Sequence, residues 1–333
     1  MKLGAYTAVL HDKPLPEALR ILRSLGLDSA EINSGGFLPA PHLPAAEIRA
    51  SRAAREEYLA QFAAADVTLT ALNCNGNPLH PDPEVREKHG NDVREAIELA
   101  ALLGVKRVVT MSGLPAADPG GRLPAWSVLP WDSAYLDARD YQWNEVAIPY
   151  WKDIQARAAA ADVKVCIEMH PHNLVYNPGT MERLATAINA THVGAELDPS
   201  HLFWQGIDPV AAVEKLGSLV CNAAAKDTRI NPEARVYGVL DDRHERVLPD
   251  EPGAVSLGGR YTLSRWPKSA SWDFVAVGRG HDIPFWTDFL RALHAVDPDM
   301  AVNIEHEDQE LDQVEGLRLA AENLKAAAAA AGI

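Results

Sequence analysis

The chain has 333 residues, of which 47% are hydrophobic and 23% are charged, and this composition is typical of a globular protein with a large core. Its net charge of −15 argues against a nucleic-acid partner, because the phosphates would be repelled. It contains no stretch of about 18 uncharged apolar residues and no apolar leader segment after Met1. We therefore expect a cytoplasmic protein with no membrane partner.

Short apolar runs alternate with helix-like segments along the whole chain. The runs are rich in Val, Ile, Leu and Ala, as in strands that are buried on both faces of a parallel sheet. Eight strand–helix pairs in this order predict an α/β fold, a single (β/α)8 TIM barrel spanning residues 1–333. The predicted strands are 2–7, 28–33, 68–74, 107–112, 164–169, 193–198, 219–226 and 301–305, and the predicted helices are 15–25, 44–65, 83–103, 144–161, 179–190, 208–216, 283–295 and 310–331.

Two connections are too long to be simple loops, and they follow the fourth and seventh predicted strands. Residues 113–143 contain three tryptophans, which either stack on a sugar ring or pack the loop. Residues 227–280 contain a candidate hairpin that would pair 261–263 with 274–277. Both insertions are expected on the C-terminal face of the barrel, where long loops commonly act as lids.

The three cysteines each lie inside an apolar run. Cys74, Cys166 and Cys221 show no zinc-type spacing. We expect isolated, buried thiols in a reducing compartment.

Three apolar runs end at a carboxylate with a histidine nearby. They carry Glu168, Asp198 and Glu305, and each acid would be buried at the C-terminal end of a strand. A buried carboxylate is destabilised by several kcal/mol unless something pairs with it. Three such ends at the mouth of one barrel are satisfied together by a single cation, and this oxygen-rich set suits Mn²⁺, Mg²⁺ or Co²⁺ better than structural zinc. The alternative is local pairing of each acid with a lysine or arginine.

Other polar side chains lie near these acids in the sequence, but their pattern is less specific for a functional site. His170 and His201 follow two of the acids, and His281 lies in a glycine-rich segment just before a predicted helix. Lys226 ends the seventh strand, where it either polarises a sugar oxygen or pairs with the carboxylates.

At these residues the chain resembles the xylose-isomerase-like TIM barrels that are grouped as sugar phosphate isomerases/epimerases. The resemblance spans almost the whole chain, and its longest segment covers residues 197–209. The matching segments are Tyr150-Trp151, Glu168-Met-His-Pro171, Leu197-Asp-Pro-Ser-His-Leu-Phe-Trp-Gln-Gly-Ile-Asp-Pro209, Ala225-Lys-Asp-Thr228, Gly238-Val-Leu-Asp241, Val277-Gly-Arg-Gly-His-Asp282 with Phe285-Trp286, and Ile304-Glu-His-Glu-Asp308.

The resemblance implies a divalent metal held by Glu168, Asp198, Glu305 and a histidine on strand seven. Mn²⁺ is the favoured ion, ahead of Mg²⁺, Co²⁺ or Zn²⁺. Related chains typically read His-x-His-Ala-Lys-Asp on strand seven, whereas this chain reads Asn222-Ala-Ala-Ala-Lys-Asp227. The fourth ligand is therefore His281, Asn222 or water, and we favour His281 because it restores an imidazole.

The resemblance also implies a reaction, which is the movement of a proton next to the carbonyl of a sugar or keto sugar. Glu168 or Glu305 would act as the base, with His170, His201 and Lys226 as orienting or electrophilic groups. We expect an oligomer.

Two alternatives stay open. One is a lyase that eliminates the aglycone from 3-oxo-glycosides, as in C-glycoside deglycosidase alpha subunits, which act with a small beta subunit. The other is a catalytically silent binding or partner subunit, because one ligand position has been lost.

Overall fold

A closed barrel of eight parallel strands forms the centre of the molecule, as the sequence predicts. The computed structural model describes residues 1–333. The barrel strands are β1 (Lys2–Tyr6), β2 (Ser29–Asn33), β3 (Thr68–Asn73), β4 (Arg107–Met111), β5 (Lys164–Glu168), β6 (Val193–Leu197), β7 (Val220–Ala225) and β12 (Ala301–Ile304). The ring runs in chain order from β1 to β7 and closes through β12, which pairs with both β7 and β1.

Helices surround the barrel and cover the outer face of its strands. Their apolar sides pack with the outward-facing strand residues in one continuous core. The helices are α1 (Leu15–Ser24), α2 (Ala45–Ala50), α3 (Arg52–Ala65), α4 (Pro83–Leu103), α5 (Ser133–Asp140), α6 (Ile148–Ala161), α7 (Pro178–Ile188), α8 (Ser200–Phe203), α9 (Pro209–Leu216), α10 (Ala234–Tyr237), α11 (Ile283–Val296) and α12 (Gln313–Ala331). No helix combines the length and the apolar character that crossing a membrane would require.

Two predicted helices differ in the structure. The helix expected over 44–65 is divided at Ser51, whose backbone is extended and whose side chain accepts the N–H of Ala54 at 3.1 Å, so that a new helix begins there. The helix expected over 144–161 begins earlier, because α5 continues through a π-helical segment at Tyr141–Ala147 into α6.

The insertion after β7 is built differently from the hairpin expected from the sequence. Its short strands are β8 (Asp227–Ile230), β9 (Ser256–Gly258), β10 (Tyr261–Thr262) and β11 (Trp272–Val275). β10 pairs with β9, whereas β11 pairs with β8 in antiparallel fashion, with Phe274 opposite Thr228. Because β8 follows β7 after one residue, this pairing places Phe274 at the mouth of the barrel.

Two cysteines lie inside the barrel and are linked. Cys166 on β5 and Cys221 on β7 form a disulfide with a Cα–Cα distance of 5.9 Å, in a small cluster with Ala71 and Val109. The expectation of isolated thiols therefore holds only for Cys74, which is free and buried.

Candidate active site

Three carboxylates converge at the C-terminal end of the barrel. Glu168 ends β5, Asp198 directly follows β6, and Glu305 directly follows β12. Each offers an oxygen that lies within 4.8 Å of an oxygen from both of the others. The three predicted strand ends thus meet at one place, because parallel strands in a barrel all point their C-terminal ends to the same rim.

Glu168 is fixed by a hydrogen bond to each of its oxygens. Nδ2 of Asn75 donates to Oε2 at 2.5 Å, and Nε2 of His201 lies 3.0 Å from Oε1. Burial alone would raise the pKa of this carboxyl group, but the His201 hydrogen bond and the charges of His170 and Lys226 lower it to about 2. Glu168 is therefore a rigid, ionised group at neutral pH. Asn75 was not predicted, although its place just after β3 is the kind of strand-end position that marks this rim.

Asp198 carries an oxygen whose surroundings fit a bound cation. Its Oδ1 accepts the N–H of Ser200 at 2.8 Å. Its Oδ2 is buried and has no hydrogen-bond partner; it lies 3.3 Å from Nε2 of His201, but that ring nitrogen hydrogen-bonds Glu168 instead. A buried carboxylate oxygen without a partner is costly. A divalent cation between Glu168, Asp198 and Glu305 would satisfy it with the oxygen ligands that Mn²⁺ and Mg²⁺ prefer.

Lys226 enters the same cluster from the end of β7. Its Nζ lies 3.3 Å from Oε1 of Glu305 and 3.0 Å from Oε1 of Glu307, and it stands 4.3 Å from the centre of the Phe274 ring. Burial would lower the pKa of this ammonium group, but the surrounding carboxylates, Glu305 first, raise it well above its usual range. Of the two roles expected for Lys226, the structure shows pairing with carboxylates.

Two imidazoles lie beside Glu168. The rings of His170 and His201 are 4.1 Å apart between centres, and both offer a nitrogen within 4.8 Å of Glu168. Nδ1 of His170 donates to the carbonyl oxygen of Pro171 at 2.6 Å, which leaves Nε2 free to act as a ligand. Burial, and then the neighbouring His170, lower the pKa of His201 to about 3, so His201 is neutral.

The family model for the xylose isomerase-like TIM barrel matches residues 19–327. The chain belongs to the xylose isomerase-like TIM barrel family. It is 37% identical over 329 residues to the uncharacterized protein YfiH of Bacillus subtilis strain 168, and the match covers 98% of each chain.

Solved structures of the same fold include a zinc-containing protein and an epimerase. One is the IolI protein with a bound zinc atom, with a TM-score of 0.62 at 17% identity over 99% of both chains. The other is YcjR from E. coli, a 3-keto-D-glucoside 4-epimerase, with a TM-score of 0.61 at 14% identity over 98% of this chain and 99% of that chain. At these identities the likeness shows the fold alone.

On β7 the chain carries Ala224 where the resemblance implies a metal-ligating histidine. Asn222 does not fill the gap, because it lies deeper in the barrel. There its Nδ2 donates to Glu196 at 2.8 Å and to Glu31 at 3.3 Å. Glu31 also accepts from Asn303 at 3.1 Å. These residues form a buried polar layer beneath the carboxylate cluster, which we did not foresee from the sequence.

His281 was favoured as the fourth metal ligand, but the structure does not bring it to the three carboxylates. Nδ1 of His281 bonds with Oδ1 of Asp227 at 2.7 Å, and its ring stacks on Phe203 at 3.6 Å between centres. The physical reason is Asp227, which also accepts the backbone N–H of His281 and so fixes this loop beside the start of β8.

Asp198→Asn is expected to stabilise the metal-free protein at alkaline pH. Burial, together with the charge of Glu168 and against the opposing charge of Lys226, raises the pKa of Asp198 to about 7. Because the folded pKa exceeds the unfolded value, this group contributes stability at acid pH that is lost as pH rises from about 4 to 7. At pH 8, in the presence of a chelator, the variant should therefore be more stable than wild type by about 1–3 kcal/mol in urea unfolding.

The pH dependence separates this effect from a general stabilisation. The difference between variant and wild type should shrink when the same unfolding is measured at pH 4. Asp162→Asn is the matched control, because Asp162 is exposed and pairs only with Lys106. An equal difference at both pH values would contradict the assignment to Asp198.

Proposed function

We propose that this protein is a divalent-metal-dependent sugar isomerase or epimerase that moves a proton next to a carbonyl group. The observation that carries the proposal is the convergence of Glu168, Asp198 and Glu305, with one buried oxygen of Asp198 left without a partner. The 3-keto-D-glucoside 4-epimerase among the structural neighbours supports the reaction type, and the zinc-containing IolI protein supports the metal.

The three carboxylates would hold the metal, with an imidazole of His170 or His201 next to them. A divalent ion in this place supplies a positive charge that polarises a carbonyl and stabilises negative charge developing on the substrate oxygens. The oxygen-rich set favours Mn²⁺ or Mg²⁺, while the two nitrogens also suit Co²⁺ or Zn²⁺.

Glu305 is the best-placed proton-transfer group among the three carboxylates. Its side chain is 17% exposed, whereas Glu168 is 2% exposed and Asp198 is fully buried, so a substrate in the mouth contacts Glu305 first. Both oxygens of Glu168 are already occupied by hydrogen bonds, which makes Glu168 a fixed anion rather than a mobile base. The ammonium group of Lys226, which pairs with Glu305, would compensate the negative charge that develops as the proton is removed.

A metal analysis joined to a substrate screen tests the proposal. The purified protein, reconstituted with Mn²⁺ and assayed with free ketoses and 3-oxo-glucosides, should form an isomeric sugar, and a chelator should abolish the activity. If no divalent metal binds and none of these sugars is converted, the proposal fails and the catalytically silent subunit is favoured.

An aromatic wall beside Lys226 favours a second reaction on a larger substrate. Trp266, Trp272 and Phe274 contact one another in the β7 insertion, with ring centres 4.6 to 6.0 Å apart. A second ring of a glycoside can stack on such a wall, since aromatic faces bind apolar ring surfaces. Elimination of the aglycone from a 3-oxo-glycoside begins with the same proton removal, and a released aglycone instead of an isomeric sugar would identify it.

Trp266→Ala is expected to weaken the binding of glycosides more than the binding of free sugars. The half-buried indole of Trp266 lies on the wall and not among the carboxylates, so its loss should raise KM for a phenyl 3-oxo-glucoside about tenfold. The KM for 3-oxo-glucose itself should change less than about twofold. Trp131→Ala is the control, because Trp131 is 92% exposed on the other insertion. Equal changes in the KM for both substrates would show that the aromatic wall does not take part in substrate recognition.

A further inference from the structure

Lys226 is an ammonium group buried inside a cluster that otherwise consists of acids. Its side chain is only 3% exposed, and its Nζ lies within 3.3 Å of an oxygen from each of two glutamates. Lysine is rarely buried this completely unless it is paired. The pairing partners here, Glu305 and Glu307, come from the end of β12, and Glu305 is one of the three candidate metal ligands.

Lys226 directly follows β7, and β7 is also the strand that lacks the metal-ligating histidine implied by the resemblance. Side chains two residues apart in a strand point to the same face, so Lys226 shares its side of β7 with Ala224. Ala224 is 3% exposed, and its methyl side chain cannot ligate a metal. This end of β7 therefore adds an ammonium group to the cluster but no side chain that could bind a metal ion.

The cluster holds more acids than cationic groups. The carboxyl groups of Glu168, Asp198, Glu305 and Glu307 face one ammonium group. A divalent ion that is bound by these acids would share Glu305 with Lys226. Two cations that are bound to the same carboxylate repel each other, and this repulsion is strong where little water screens it.

The ammonium group of Lys226 is held in the cluster by two further contacts. The face of the Phe274 ring lies against its ammonium group, and Glu307 pairs with it at 3.0 Å. Phe274 is itself held by the pairing of β11 with β8.

We propose that Lys226 is a resident cation that shares Glu305 with an exchangeable divalent ion, and that it thereby sets a low metal affinity for the site. This inference rests on the proposed metal-dependent function. It makes the activity of the protein dependent on the concentration of free metal in its surroundings.

Calorimetric titration of the chelator-treated protein with Mn²⁺ tests the inference, with wild type beside Lys226→Met. Methionine keeps an unbranched apolar chain against Phe274 but removes the charge, so the Kd for Mn²⁺ should fall by at least about tenfold. The electron paramagnetic resonance signal of free Mn²⁺ gives an independent measure of the bound fraction. Lys88→Met is the matched control and should bind like wild type, because Lys88 is about half exposed and pairs with Asp92 away from the cluster.

Each outcome decides the question. If wild type binds Mn²⁺ and Lys226→Met binds it equally or more weakly, this inference is overturned while the proposed metal site stands. If no variant binds Mn²⁺, Mg²⁺, Co²⁺ or Zn²⁺, the proposed function and this inference both fail. Should Lys226→Met not fold, Lys226→Gln removes the same charge with a polar side chain and is read in the same way.

Discussion

Replacement of Glu168 by glutamine is expected to lower kcat/KM by about 1,000-fold and to abolish binding of the divalent metal. Glutamine keeps the shape of the side chain but loses the negative charge that the candidate metal site shares. Its amide NH₂ would also face a donor, because Asn75 donates to one oxygen of Glu168 and His201 bonds with the other. Loss of one preorganised charge in a dry active site typically costs two to three orders of magnitude in rate, that is, about 100- to 1,000-fold.

The measurement combines the Mn²⁺ affinity, from calorimetric titration of the chelator-treated protein, with steady-state kinetics on whichever 3-oxo-glucoside or ketose is converted. Glu182→Gln on α7 serves as the control, since Glu182 pairs with Lys215 on the outer surface and should leave both quantities unchanged. Retention of metal and of turnover in Glu168→Gln would show that the reaction centre lies elsewhere.

The carboxylate cluster was predictable because its signal is local. An apolar run that stops at an acid marks the end of a buried strand, and the barrel then brings Glu168, Asp198 and Glu305 to one rim. The alternation of strands and helices predicts the barrel itself, and the structure and the family match confirm it.

The surroundings of the cluster were not predictable, because they depend on contacts between distant segments. The hairpin expected between 261–263 and 274–277 was wrong, since β8 offers a free edge beside the mouth and β11 pairs with it instead. That pairing places Phe274 on Lys226. The position of His281 likewise depends on Asp227, which lies 54 residues earlier in the chain.

Replacement of Asp227 by asparagine is expected to destabilise the protein by about 2–4 kcal/mol. The carboxylate is fully buried and accepts the backbone N–H groups of Thr228, Gly278, Gly280 and His281, at 2.8 to 3.0 Å, in addition to the His281 ring. An asparagine has one acceptor oxygen, so its NH₂ group would face some of these donors and leave them unsatisfied inside the fold. Urea unfolding of the chelator-treated protein measures the loss directly.

A Mn²⁺ titration of His281→Ala distinguishes a structural role for the 278–281 loop from a metal-binding role. A Cβ at Gly280 would lie 2.3 Å from the carbonyl oxygen of Thr228, so the loop wraps tightly around Asp227. Because the wrapped loop keeps His281 away from the carboxylates, His281→Ala should bind Mn²⁺ within about twofold of wild type even though it loses stability. Asp288→Asn, which removes an exposed helix pair with Arg291, should cost less than about 0.5 kcal/mol. A large loss of Mn²⁺ affinity in His281→Ala without unfolding would restore His281 as the fourth ligand and would require the loop to move when metal binds.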